Sequence, residues 1–274
     1  MTPTSCRLPL KRKRSYEPTT TMASGPVVVD LSGDESTDRW LSARVINLIV
    51  GPEQKKWAVH EKILVEHSTF FAEYFQSEDG RGRDELNLPH EDPKLFALLV
   101  RWLYGIAFMS GGRRAFRFPV PDGKETTVRD FLRLYVLGGR YGIIGVRNAA
   151  IDALYSYYGE AKGNHEAPNL HDVKYIFDNT APEAPIRLFL IAHALFYLFS
   201  WGRENSPLPD DWAQVLKGDG EIGFAMIRML SEWDWVSGKN APVMTIKPRH
   251  KFHEHPPTPD IVKKEVDEGN ILEL

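Results

Sequence analysis

The sequence predicts an α+β fold: a small three-stranded sheet capped by helices, then an all-helical extension, with a polar tail at either end. Three observations carry this. Strand-like segments all fall before Pro89, and beyond it apolar residues recur at helical spacing. Capping and turn residues separate the segments at short intervals. Aromatic and aliphatic residues thin out at both ends, where Pro, Thr, Ser and charge take over. The divisions expected are a disordered basic/acidic tail at 1–39, an α+β domain at 43–158, a helical extension at 165–237 and a disordered tail at 241–274. With 274 residues, 42% of them hydrophobic, the chain is long enough to bury a sizeable core.

Val45-Ile46-Asn47-Leu48-Ile49-Val50 is β-branched and apolar at nearly every position, the pattern of a buried strand. Gly51-Pro52-Glu53-Gln54 reads as a turn and residues 56–59 as a second strand, so the two form an antiparallel hairpin. Helices follow over 60–65 and 68–75, and the Ser68 hydroxyl oxygen can cap the second. Glu85-Leu86-Asn87-Leu88 is a third strand, closed by Pro89. Asp92-Pro93 opens a helix whose Leu95, Phe96, Leu99, Trp102 and Leu103 share one face, with Gly105 as its stop. Residues 106–126 read as a loop bearing Arg113, Arg114 and Arg117. Thr127 and Asp130 fit a capping box ahead of Phe131, Leu132, Leu134 and Tyr135, and Gly138-Gly139 ends that helix. Further helices are expected over 144–157, 170–178, 184–201, 209–217 and 221–235. The most apolar run, 186–201, is interrupted by Arg187 and His193 and is shorter than the roughly 20 residues of a membrane span, so a buried helix is expected and no membrane contact.

Charge and cysteine usage narrow the function classes. A net charge of −3 gives no global attraction to nucleic acid, so direct nucleic-acid binding is not expected. The charge is uneven: Arg7, Lys11, Arg12, Lys13 and Arg14 lie together, and Asp30, Asp34, Glu35 and Asp38 follow. The single cysteine, Cys6, cannot form an internal disulfide, which fits the nucleus or cytoplasm. The polar N-terminus has no apolar core of a secretory signal.

Val45 to Gly51 followed by Trp57-Ala58-Val59-His60-Glu61-Lys62-Ile63-Leu64 resembles the opening of a BTB/POZ domain. Ser68-Thr69-Phe70-Phe71 resembles the family's Ser-x-Phe-Phe. Leu86-Asn87-Leu88-Pro89, Asp92-Pro93-Lys94-Leu95-Phe96 and Trp102-Leu103-Tyr104-Gly105 resemble its third strand and next helix, and 134–143 its last helical hairpin. The whole is similar in style to fungal BTB proteins with a helical C-terminal extension. His60, Leu64, Ser68, Phe71, Tyr104 and Gly105 are the residues of the structural signature. Leu64 and Phe71 should be core, and His60, where strand turns to helix, should hold a satisfied hydrogen bond rather than act in catalysis. Many members open the first long strand with an acid; here it opens Arg44-Val45. The resemblance implies a protein–protein interaction module that forms homo- or hetero-dimers through its helices and sheet edge, and no enzyme.

No Gly-x-Ser-x-Gly, phosphate-loop or paired-cysteine pattern occurs, and Gly139, Gly142 and Gly145 follow no strand. No cofactor, catalytic residue or metal is expected. His250, His253 and His255 beside Glu254 read as a solvated stretch. Three short signals lie in the tails. Lys11-Arg12-Lys13-Arg14 is a compact basic run suited to nuclear import. Val27-Val28-Val29-Asp30-Leu31, with Asp34 and Glu35 after it, resembles a SUMO-interacting motif, which adds a strand to a sheet edge and sets its acids against a basic rim. It also suits an extra strand on the chain's own sheet. Val262-Lys263-Lys264-Glu265 resembles a SUMO acceptor site on Lys263. The expectation is a nuclear scaffold or transcription- or chromatin-associated regulator whose partners include SUMO or SUMO-modified proteins. The alternative is a substrate adaptor of a cullin-type ubiquitin ligase, with a cullin as partner.

Overall fold

The sheet is built around strand β1 (Val45–Val50), which pairs antiparallel with β2 (Lys55–His60) and parallel with β3 (Glu85–Leu88), giving the order β2-β1-β3. The register sets Ile46 opposite Val59 and Val50 opposite Leu88. Ile46, Leu48 and Val50 point to one face and are fully buried, while Val45, Asn47 and Ile49 on the other face are not. The continuous apolar run is therefore one face of a sheet, not a strand covered on both sides. Gly51 turns the chain at φ +76°, and any Cβ there would stand 2.7 Å from Pro93 Cγ, so only glycine fits.

This computed structural model describes residues 44–109, 116–160, 167–201, 210–218, 220–232 and 249–255. Helices α1 (Glu61–His67) and α2 (Thr69–Gln76) make up much of the connection a parallel β1–β3 pair requires. Ser68 Oγ accepts from Phe71 N at 3.1 Å and donates to the Tyr141 carbonyl at 2.6 Å, so one side chain caps α2 and ties it to a distant helix end. Helix α3 spans Pro93–Met109, with Asp92 Oδ1 accepting from Lys94 N at 2.8 Å. The expected stop at Gly105 is corrected: the helix runs four residues further, through Ile106-Ala107-Phe108-Met109. Gly105 makes room for a ring, since a Cβ there would lie 2.2 Å from Phe116 Cδ2.

Helix α4 (Val128–Arg140) opens with the full capping box between Thr127 and Asp130. Lys94 Nζ reaches the same carboxylate at 2.7 Å, linking the starts of α3 and α4. The end expected at Gly138-Gly139 is also corrected. Ile143 N bonds to Gly138 O at 2.7 Å and Gly142 N to Gly139 O at 3.2 Å, with Gly142 at φ +61°, a Schellman stop three residues later. Gly138 instead permits close crossing by helix α5 (Ile144–Glu160), because a Cβ would meet Val146 Cγ1 at 2.6 Å.

The extension contains α6 (Leu170–Asn179), α7 (Pro185–Trp201), α8 (Asp210–Gly218) and α9 (Gly220–Ser231). Helix α6 docks on α4 through Arg129, which lies 2.7 Å from Asp172 Oδ1 and 4.1 Å above the Tyr175 ring. Helix α7 is the buried apolar run, and both residues that interrupt it are themselves buried. Arg187 donates to the Phe177 and Thr180 carbonyls at the end of α6 and pairs with Glu221 of α9. Among the described residues no helix is long and apolar enough to cross a membrane.

Residues 249–255 lie within the stretch 241–274 expected to be disordered, yet they dock on the helices through a 3₁₀ turn (Arg249–Phe252) and the three residues after it. Phe252 is fully buried, which offsets the ordering of so short a segment.

Candidate interaction surfaces

Two residues of the expected signature, 44 apart in sequence, meet at the edge of the sheet. The Tyr104 hydroxyl accepts from the His60 backbone N–H at 3.2 Å and lies 2.8 Å from His60 Nδ1. Burial raises the Tyr104 pKa, and the bond from the His60 backbone opposes that rise. Leu64, Ser68 and Phe71 are buried, and Gly105 faces Phe116. All six residues take part in packing or hydrogen bonds of the fold. Lys11 to Arg14, Val27 to Leu31 and Lys263 lie outside the described residues.

Clefts open among the described residues. One, of about 370 Å³, lies between the β1–β2 turn, the start of α3, α4 and α6. It is lined by paired charges: Arg133 lies 2.9 Å from Asp92, and Arg140 lies 2.5 Å from Glu91, which also accepts from the Tyr141 hydroxyl at 2.9 Å. Burial first, and the Glu91 charge second, push the Tyr141 hydroxyl well above its ordinary pKa, so it stays a protonated donor. This cluster braces helices. Sequence reasoning missed it, since Glu91 and Arg140 are 49 residues apart.

The second cleft, of about 330 Å³, is lined by Val65, Ala72, Trp102 and Ile144, with Gly142 and Gly145 at its wall. A Cβ on Gly145 would stand 2.6 Å from the Trp102 ring, so the small residue shapes the wall. His67 packs edge-on to Trp102 at 5.8 Å, and burial lowers its pKa against the opposing Glu66 charge. On α2 itself Phe70 stacks on Tyr74 at 6.3 Å and 7°, with Phe70 37% exposed. Aromatics at a surface are a feature of protein contact sites.

A scan against family models matches the BTB/POZ domain model over residues 45–115. Residues 45–115 form a BTB/POZ domain. The matched BTB/POZ region holds the sheet, α1, α2 and α3, and hence the Phe70–Tyr74 ledge and the His60–Tyr104 contact. The α4–α5 hairpin and the helical extension lie beyond the match. A BTB/POZ domain is a protein–protein interaction module. No curated protein matches the chain. Among the described residues no group of three or more His, Cys, Asp or Glu side chains could hold a metal ion. His253, expected to be solvated, lies 2.9 Å from Asp152 of α5.

Proposed function

We propose that this chain is a nuclear scaffold, a transcription- or chromatin-associated regulator that assembles other proteins and carries out no catalysis. One observation carries the reading: an apolar run, Val27-Val28-Val29-Asp30-Leu31 with acids behind it, of the pattern that suits strand addition, is joined in one chain to a BTB/POZ domain. The basic run Lys11-Arg12-Lys13-Arg14 supports the nucleus as its compartment, and Val262-Lys263-Lys264-Glu265 supports SUMO attachment at Lys263. The BTB/POZ domain supplies homo- or hetero-association. The first segment recruits SUMO-modified proteins, and the two weak contacts reinforce each other.

Affinity purification of the full chain from nuclear extract, with partners identified by mass spectrometry, tests this. The expected result is recovery of SUMO-modified proteins, lost on Val28→Ala with Val29→Ala while the fold persists. A cullin recovered near stoichiometry overturns the scaffold reading and makes the chain a ubiquitin-ligase adaptor. The docking of α6 on α4 favours that second reading, because it sets the extension where it could lengthen a contact made by the domain.

A further inference from the structure

Residues 252–254 are held as a ligand is held. The Phe252 ring is fully buried and meets Phe189 of α7 edge-on at 5.3 Å. Asn148 of α5 grips the next stretch by its main chain: its Nδ2 donates to the Glu254 carbonyl at 2.8 Å, and its Oδ1 accepts from the Glu254 N–H at 2.7 Å. A side-chain amide that reads both backbone groups of one residue recognises an extended chain whatever its side chain. The Glu254 carboxylate then pairs with Arg147 and accepts from the Tyr135 hydroxyl.

The receiving groups hold one another without the segment. The Arg147 guanidinium lies 4.4 Å from the Tyr135 ring centroid and donates from Nη2 to the Tyr135 hydroxyl at 2.8 Å. Every receiving residue stands on α4, α5 or α7, and rigid placement of this kind lowers the cost of binding. We propose that this groove is a recognition site for a short peptide of pattern aromatic–histidine–acid, and that Phe252-His253-Glu254 occupies it in cis as a built-in competitor, with His253 Nε2 2.9 Å from Asp152 Oδ1. The aromatic fills the hole against Phe189, Asn148 takes the backbone, and the carboxylate takes Arg147 and Tyr135. A partner carrying the same pattern docks when the chain's own segment leaves. Tethering keeps the cis segment at an effective concentration on the order of 1 mM, so a free peptide is excluded until it is abundant or tighter.

The test uses the full chain and a fluorescein-labelled peptide with the sequence of residues 249–255. Phe252→Ala with Glu254→Ala empties the groove, and the labelled peptide should then bind at least tenfold more tightly than to the unaltered chain. Adding Arg147→Ala or Asn148→Ala to that variant should weaken binding at least tenfold, with the far-ultraviolet circular dichroism unchanged. A folded, emptied chain that does not take up the peptide overturns the proposal. If the emptied chain does not fold, hydrogen exchange on the unaltered chain decides. The Glu254 amide exchanging at least tenfold faster than the α5 amides supports a displaceable segment, and equal protection overturns it. A dimer by light scattering that the double substitution reduces to monomer overturns the cis arrangement, because the segment then sits in a second copy.

Discussion

His193 shows how one side chain carries a pH dependence for the molecule. Its ring is packed against Phe189 at 4.5 Å and Tyr158 at 5.1 Å, and its Nε2 has no hydrogen-bond partner among the described residues. Burial pushes its pKa down to about 3 from the ordinary 6.5. The folded state therefore binds this proton less readily than the unfolded chain. Its stability is complete above pH 6.5 and is lost progressively as pH falls toward 3. Between pH 6.5 and 5 the loss should reach about 2 kcal/mol. Urea melts at pH 7.5 and 5.0 check this, and His193→Leu should flatten the difference between them. The His60–Tyr104 contact gives a second expectation at this scale. Tyr104→Phe leaves the His60 N–H without its acceptor in a half-buried place, and should cost about 1–2 kcal/mol in the same melts.

At the scale of elements, helix ends and crossings decide where each segment stops. Gly142 ends α4 at φ +61°, and a Cβ there would stand 1.9 Å from Thr69 Oγ1. Gly82 has φ +77° with open space around it. Both substitutions to Ala pay the left-handed backbone penalty of about 1–2 kcal/mol, and Gly142→Ala also forces the Thr69 side chain to give way. Gly142→Ala should therefore lower the thermal midpoint further than Gly82→Ala. Arg187 joins three helices of the extension from a buried position, whereas the side chain of its partner Glu221 is 56% exposed. Arg187→Met strands the Phe177 and Thr180 carbonyls and should cost about 1–3 kcal/mol for each. Glu221→Ala should cost about 1 kcal/mol or less, since an exposed acid contributes little. Similar losses from the two variants in denaturant melts would contradict this division.

For the molecule as a whole, the relevant question is which faces meet other chains. The α2 ledge of Phe70 and Tyr74 belongs to the BTB/POZ region and lies partly in solvent. If the full chain pairs through this ledge, Phe70→Glu sets a charge into the contact and should convert a dimer to a monomer by multi-angle light scattering. An unchanged mass with an unchanged fold would place the contact elsewhere. Among the described residues an alternative surface is on α9, where Phe224 and Ile227 are 66% and 64% exposed and three residues apart.

Much of this architecture is legible in sequence because its causes are local. The alternation of Ile46, Leu48 and Val50, the Ser68 cap and the Thr127–Asp130 box all act within a few residues, so spacing alone encodes them. The stops expected at Gly105 and Gly138-Gly139 were misplaced because those glycines answer to Phe116 and Val146, neighbours brought by packing rather than by sequence. The same holds for the contacts that span the fold. His60 invites a hydrogen-bonding partner, but only the docking of α3 makes it Tyr104. Glu254 lies in a Pro-rich, charged stretch whose composition resembles a solvated tail, and only the assembled α4–α5 hairpin offers it Arg147, Tyr135 and Asn148. By itself the sequence determined the α+β class, the strand and helix types and the BTB/POZ resemblance, because periodicity and capping are properties of neighbouring residues. Only the tertiary structure decided which distant charges pair, which glycines are contacts rather than stops, and that Phe252 is buried with Glu254 beside Asn148 and Arg147, because those depend on the relative placement of whole helices.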